Sequence, residues 1–247
     1  LEKIAVYCLH GFLGLPRDWD FLEPTAFDLK KVDALSGAGR FQTILDWATA
    51  FNQEVKQDGK RPRAILGYSM GGRLALHSLA LDPSLWDAAI IVSASPWEVP
   101  SPQARLTQDE EWAQRFKNDD WEKVVSAWNE LPVFKGSQPM APRRENDFKR
   151  QELAHVLKAW SPALVSRCLS PLSDHISRLQ IPISWVAGQN DARYVEIARE
   201  MIKNTTSPRF ETQIIPHAGH RAPWDQPAAF QEYFCSFLER SLLKVRT

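Results

Sequence analysis

The stretch that most constrains this chain is Gly67-Tyr68-Ser69-Met70-Gly71. It fits G-x-S-x-G and stands between an apolar run, Arg63 to Tyr68, and a helical segment, Arg73 to Leu81, that Asp82-Pro83 stops. Glycines two before and two after the serine permit a tight strand-to-helix turn, which pushes the hydroxyl out at the top of a sheet near helix N–H groups. The rest of the chain supplies such a sheet. Ile4 to Leu9 reads as a buried strand ending at His10-Gly11, and Phe41 to Lys56 as a helix with Ile44, Leu45, Ala48, Phe51 and Val55 on one face, closed by Asp58-Gly59. Ala88 to Ser93, Ile183 to Ala187 and Phe210 to Ile215 read as further strands, with helices over Val195 to Lys203 and Ala228 to Leu243. Continuous apolar strands alternating with helices predict a mostly parallel sheet covered on both faces, an α/β fold.

Residues 97 to 170 break that rhythm. They hold Pro100, Pro102, Pro132, Pro139, Pro142 and Pro162, no convincing buried strand, and five of the ten tryptophans: Trp97, Trp112, Trp121, Trp128 and Trp160. Trp112, Phe116, Trp121, Val124, Val125 and Trp128 recur near helical spacing, which predicts short helices packed by aromatic side chains. The expected division is a core of residues 1–96 and 171–247 with a helical cap, 97–170, inserted after a central strand. Loops at the strand C-termini are where such sheets bind ligands, so the cap is expected to roof a pocket.

Thirty Lys+Arg against thirty Asp+Glu in 247 residues leave no net charge to drive nonspecific binding to nucleic acid or anionic membranes. No apolar run reaches the roughly 20 residues that span a bilayer, and the opening Leu-Glu-Lys-Ile-Ala-Val-Tyr-Cys lacks the pattern of a signal peptide. A cytoplasmic protein, monomeric or weakly self-associating, is the expectation. Cys8, Cys168 and Cys235 are odd in number and widely spaced, which predicts reduced thiols rather than a disulfide framework or metal site. No metal or organic cofactor is expected.

A serine hydroxyl is a poor nucleophile or base until an imidazole takes its proton, and the imidazole needs a carboxylate to hold its tautomer. Asp191, in Gly188-Gln189-Asn190-Asp191, follows the strand through Val186, on the edge of the sheet expected for Ser69. His220, in Ala218-Gly219-His220, follows the last strand; His217 competes, but the glycine before His220 frees that loop to reach over the sheet. His77, His155 and His175 read as packing or surface residues. His10-Gly11-Phe12-Leu13 follows the first strand, and Phe12 N–H with Met70 N–H is the expected oxyanion pair. Arg73, one turn after Ser69 where the helix dipole disfavours a cation, suits an anionic substrate such as a carboxylate.

With these residues in hand, the whole chain resembles the α/β-hydrolase fold, whose triad follows the chain order Ser, Asp, His. More narrowly it is similar to the 2-succinyl-6-hydroxy-2,4-cyclohexadiene-1-carboxylate synthases of menaquinone biosynthesis. That likeness rests on His10-Gly11-Phe12-Leu13-Gly14 with Asp18-Trp19, on Gly67-Tyr68-Ser69-Met70-Gly71-Gly72-Arg73, and on Arg105, Trp112, Gln114-Arg115-Phe116 and Trp128 before Pro132-Val133-Phe134. The resemblance implies an elimination in which the serine abstracts a proton and pyruvate leaves as a conjugated diene forms. It carries over Ser69 as base, Asp191 and His220 as its partners, Tyr68, Arg73 and Arg105 as carboxylate contacts, and Trp128 as a lid contact. Two segments depart from the family pattern. Leu157-Lys158 stands where a late lid arginine is usual, with Lys158 as its point-charge substitute, and Arg221-Ala222-Pro223-Trp224 replaces a run with a second histidine. A serine hydrolase of a small ester, thioester or carbon–carbon bond is the alternative with the same triad, and a non-catalytic binding module the third.

Overall fold

Six strands carry the computed structural model of the chain, which describes residues 3–165 and 171–243. In chain order the elements begin β1 (Ile4–Leu9), β2 (Phe27–Val32), α1 (Ile44–Asp58), β3 (Arg63–Tyr68), α2 (Met70–Leu81) and β4 (Ala88–Val92). Next come α3 (Pro102–Asn118), α4 (Trp121–Asn129), α5 (Arg150–Ala159) and α6 (Leu172–Ser177). The chain returns to the sheet with β5 (Ile183–Gly188), α7 (Ala192–Asn204), β6 (Phe210–Ile215), the short α8 (Ala222–Asp225) and α9 (Pro227–Leu238). The sheet order is β2-β1-β3-β4-β5-β6, and every neighbouring pair is parallel.

Side chains alternate across each strand, so β1 sends Val6 and Cys8 to one face and Tyr7 and Leu9 to the other. The first face packs with Leu66 and Ile90 against Phe230, Phe234 and Phe237 of α9. The second packs with Ile65 and Ile91 against α1 and α2 through Trp47, Phe51, Leu74 and Leu76. Both faces are therefore dry, which is why the inner strands read as unbroken apolar runs. β2 is the element the sequence hides. Phe-Asp-Leu-Lys-Lys-Val lies at the sheet edge, where one side needs no partner strand and only Phe27 is buried, and its lysines guard that edge against further pairing.

Among the described residues no strand lies between β4 and β5. α3 packs against α5, and Trp112, Phe116, Trp121 and Val124 join the apolar cluster that covers the α1/α2 face. Polar bonds tie this helical segment down at its periphery. Arg143 grips Asp18 through two bonds of 2.8 Å, both side chains being nearly fully buried, and Trp121 Nε1 donates to the Arg143 carbonyl at 2.7 Å. Glu152 accepts from Gly37 N–H, and His155 Nε2 pairs with the Phe41 carbonyl at 2.7 Å.

Several element boundaries move, α1 running from Ile44 to Asp58 rather than from Phe41 to Lys56. α2 begins at Met70, not Arg73, because the elbow itself is its first turn; α7 begins at Ala192, and α9 ends at Leu238, where a π-turn over Glu239–Leu243 follows. Cys8 is fully buried and Cys235 partly so, and burial pushes both thiols up, away from the reactive thiolate. Cys168 and the end of the expected cap, 166–170, lie outside the described residues. Among the described residues no helix is long and apolar enough to cross a membrane, and no group of three His, Cys, Asp or Glu could hold a metal ion.

Candidate active site

The turn after β3 carries its strain on the serine. Ser69 has φ 53° and ψ −111°, in the region that side chains other than glycine avoid, and the sheet holds it there through Ser69 N–H to the Val92 carbonyl at 2.9 Å. The flanking glycines make room. A Cβ on Gly67 would sit 2.4 Å from the Gly71 carbonyl oxygen, and one on Gly71 2.4 Å from that of Leu9. The result points the Ser69 hydroxyl at the C-terminal edge of the sheet.

Asp191 ends the turn after β5 as the residue preceding α7, and His220 comes from the loop after β6. The two loops touch, since a Cβ on Gly188 would lie 2.1 Å from the Gly219 carbonyl oxygen. His220 Nδ1 lies 2.7 Å from Asp191 Oδ2, and its Nε2 lies 3.1 Å from Ser69 Oγ. An ionised carboxylate only accepts, so Nδ1 carries the proton and donates to Asp191, leaving Nε2 to accept from the serine. His220 is 2% exposed, whereas His217 is exposed on the same loop and bonds no member of this group. Asp225 fixes the loop, accepting from Gly219 N–H at 2.8 Å and Gln138 N–H at 2.7 Å.

Gly11 lies against Tyr68 and Ser69, so the loop after β1 borders the serine hydroxyl. Phe12 N–H and Met70 N–H donate to no protein acceptor among the described residues. Met70 is the first residue of α2, where helix geometry leaves N–H groups unpaired, and its dipole adds to their pull on negative charge. His10, fully buried, supports this loop: its Nδ1 pairs with the Gly11 carbonyl at 2.9 Å and its Nε2 accepts from Ala34 N–H at 3.2 Å.

Two cavities open on Ser69. The larger, about 240 Å³, is lined by Ser69, His220, Arg73, Arg105, Trp128 and Trp160 among others. The smaller, about 120 Å³, lies on the other side and is lined by Ser69, Tyr68, Asn129, Arg143, Arg221 and Trp224. Phe12, Trp128 and Phe134 border both, with the Phe12 and Trp128 rings 4.6 Å apart. Arg73 donates to the Trp160 carbonyl at 2.5 Å, and burial with the nearby Arg105 pushes its guanidinium down to about 10, so it remains a cation at neutral pH. Arg105 pairs with the buried Asp109 at 2.8 Å, which Ser161 also bonds at 2.6 Å.

Tyr68 borders the smaller cavity, not the one that holds Arg73, and burial pushes its hydroxyl well above the ordinary tyrosine range. Lys158 requires a correction. It is about half exposed, pairs with Glu110 at 3.5 Å and lines neither cavity; its neighbour Leu157 faces the larger one instead. Three residues escaped the sequence reading. Arg193 and Tyr194, in the first turn of α7, line the larger cavity, and the Tyr194 ring stands 4.8 Å from that of His220. Arg221 lines the smaller one; its place beside His220 was the available signal.

The sequence pattern of the alpha/beta hydrolase family matches residues 6–232, nearly the whole chain. The chain belongs to the alpha/beta hydrolase family. Within it, a 2-succinyl-6-hydroxy-2,4-cyclohexadiene-1-carboxylate synthase from Enterobacter sp. (strain 638) is 32% identical over 238 residues, covering 90% of this chain and 86% of that protein. A relative from Bacillus subtilis (strain 168) that carries the same synthase name is 27% identical, covering 95% and 90%. The solved structure of MenH from S. aureus superposes with a TM-score of 0.78 at 21% identity, covering 98% of this chain and 96% of that one, which is a likeness of fold. The likeness of this alpha/beta-hydrolase enzyme to these synthases thus covers most of the chain, and not merely the elbow motif.

Proposed function

We propose that this enzyme eliminates pyruvate from a succinyl cyclohexene polycarboxylate to give 2-succinyl-6-hydroxy-2,4-cyclohexadiene-1-carboxylate, with Ser69 as base and His220 and Asp191 as its partners. The observation that carries this reading is the cationic wall of the larger cavity. Arg73 and Arg105 face the space next to Ser69, and charge-assisted bonds from guanidinium groups bind and orient carboxylates. Ser69 Oγ passes its proton toward His220 Nε2 and takes one from the ring carbon made acidic by the adjacent succinyl carbonyl. Negative charge accumulating on that carbonyl oxygen is accepted by Phe12 and Met70 N–H. The carbon–oxygen bond to the three-carbon acid then breaks, its electron pair leaves with the oxygen as the enolate of pyruvate, and the second ring double bond forms. No water is consumed. Trp128, between cap and elbow, closes the cavity over the ring, and residues 97–170 act as the cap. The triad moves the proton without metal or organic cofactor, and the reading includes a cytoplasmic enzyme, monomeric or weakly self-associating.

The same triad and N–H pair would also serve hydrolysis of a small ester, thioester or carbon–carbon bond, so the test compares the two reactions. Purified protein given the succinyl cyclohexene precursor should develop diene absorbance and release pyruvate in equal amount. Ser69→Ala should lower kcat by a factor on the order of 10³ or more. Arg73→Ala should lower kcat/KM for diene formation roughly 10- to 150-fold while barely changing turnover of a neutral p-nitrophenyl ester. Efficient ester hydrolysis with no pyruvate from the precursor would make the hydrolase reading the correct one.

A further inference from the structure

The smaller cavity beside Ser69 holds a buried cation that forms no ion pair among the described residues. Arg221 is 6% exposed, and its hydrogen bonds go to neutral acceptors, the Gln138 carbonyl at 3.1 Å and the Asn129 side-chain carbonyl. The guanidinium lies 4.1 Å over the Phe134 ring and beside the Tyr68 hydroxyl. Among the described residues no carboxylate forms an ion pair with it. The other cation of that cavity, Arg143, is neutralised by both oxygens of Asp18, and Asp225 is occupied by two backbone N–H groups. Burying a charge without its partner is costly, and a cavity that leaves a guanidinium's remaining N–H donors unused is shaped for an anion.

We propose that Arg221 and the Tyr68 hydroxyl form a second carboxylate subsite, separate from the Arg73 and Arg105 wall, which holds the small acid expelled during the reaction. This assignment rests on the elimination reading above. Size and charge divide the substrate between the cavities. The larger, lined by Arg73, Arg105 and Arg193, suits the ring and the two carboxylates retained by the product; the smaller, about half its volume and with Arg221 as its one cation outside an ion pair, suits a three-carbon acid bearing one carboxylate. Ser69 lies on the border, where the bond joining the two halves would break. Arg221 holds the substrate and is a specificity residue, with no part in proton transfer.

Pyruvate and succinate serve as probes of the two halves, and calorimetry reads their binding to the free protein without turnover. Arg221→Gln should weaken pyruvate binding roughly 10- to 100-fold and change succinate binding less than about threefold, whereas Arg73→Gln should do the reverse. Arg221→Lys should recover part of the pyruvate affinity, and Tyr68→Phe should weaken it several-fold. In the diene assay Arg221→Gln should raise the inhibition constant of pyruvate by the same factor as its binding constant. Because Arg221 also steadies Gln138 and Asn129, melting temperatures are measured alongside; should Arg221→Gln not fold, Arg221→Lys and Tyr68→Phe decide. A merely structural arginine would weaken both probes together, and that outcome overturns the proposal. So does pyruvate binding unchanged in Arg221→Gln, or wild-type protein that binds no pyruvate at tens of millimolar. If pyruvate binding depends on Arg221 but the precursor yields no diene, the subsite stands and the elimination reading falls.

Discussion

In the proposed reaction Asp191 acts on Ser69 only through one proton. Its bond to His220 Nδ1 keeps that nitrogen protonated and leaves Nε2 free to accept from the serine. Asp191→Asn can keep the packing yet donate to Nδ1, favouring the opposite tautomer; kcat should fall by about 10³- to 10⁴-fold with little change in melting temperature. Steady-state kinetics and a thermal melt on the same preparation check both halves. His77 shows the opposite use of burial. Its Nδ1 pairs with the Arg73 carbonyl at 2.7 Å, and burial pushes its pKa down to about 4 from an ordinary 6.5, so it is neutral in the folded protein. The unfolded chain then binds the extra proton between those values, and stability falls as pH drops from 6.5 toward 4, by at most about 1.4 kcal/mol per pH unit. Denaturant titrations across that range should show a shallower pH slope in His77→Gln than in the wild type. The Ser, Asp and His were legible because each follows a strand and has a motif or a glycine beside it. Lys158 was misread because a helix turns about 100° per residue, so Leu157 faces the cavity and Lys158 the solvent.

At the scale of elements, the elbow depends on two segments meeting without side chains between them. Gly71 in α2 rests on the Leu9 and His10 carbonyl oxygens at the end of β1, where a Cβ would fall within 2.5 Å of both. Gly71→Ala therefore cannot relax by rotating a side chain. It should push α2 away from β1, carrying Ser69, Met70 N–H and Phe12 N–H out of register, and activity should fall at least as far as in Ser69→Ala while the melting temperature also drops. A Gly71→Ala enzyme with near wild-type turnover would mean that the close approach is unnecessary. The apolar runs of β1, β3, β4 and β5 were readable because both of their faces are buried. β2 was not, because an edge strand with five half-exposed residues has little apolar signal.

For the molecule as a whole, the helical segment after β4 stays over Ser69 through aromatic packing and a few buried polar ties. Arg143 and Asp18 join it to the loop after β1, and both are nearly fully buried. Removing one partner strands the other charge, a loss of about 3–5 kcal/mol for a buried pair. Arg143→Met should lower the melting temperature, expose the segment from 135 to 143 to limited proteolysis, and raise KM for the precursor more than it lowers kcat. Proteolysis as slow as in the wild type would show that aromatic packing alone holds this segment.

Local pattern determined the layered α/β architecture, the strained serine turn and the chain order of Ser69, Asp191 and His220, because each follows from periodicity or from residues adjacent in sequence. Tertiary structure decided what depends on meetings between distant segments. It divided the space around Ser69 into two cavities, paired Arg143 with Asp18, turned Lys158 outward, and set Arg221 against Asn129 and Gln138 with no ion pair among the described residues. A residue's type states the charge it carries. Whether that charge is neutralised, solvated or left facing a cavity depends on residues brought beside it by the fold, and no local spacing records them.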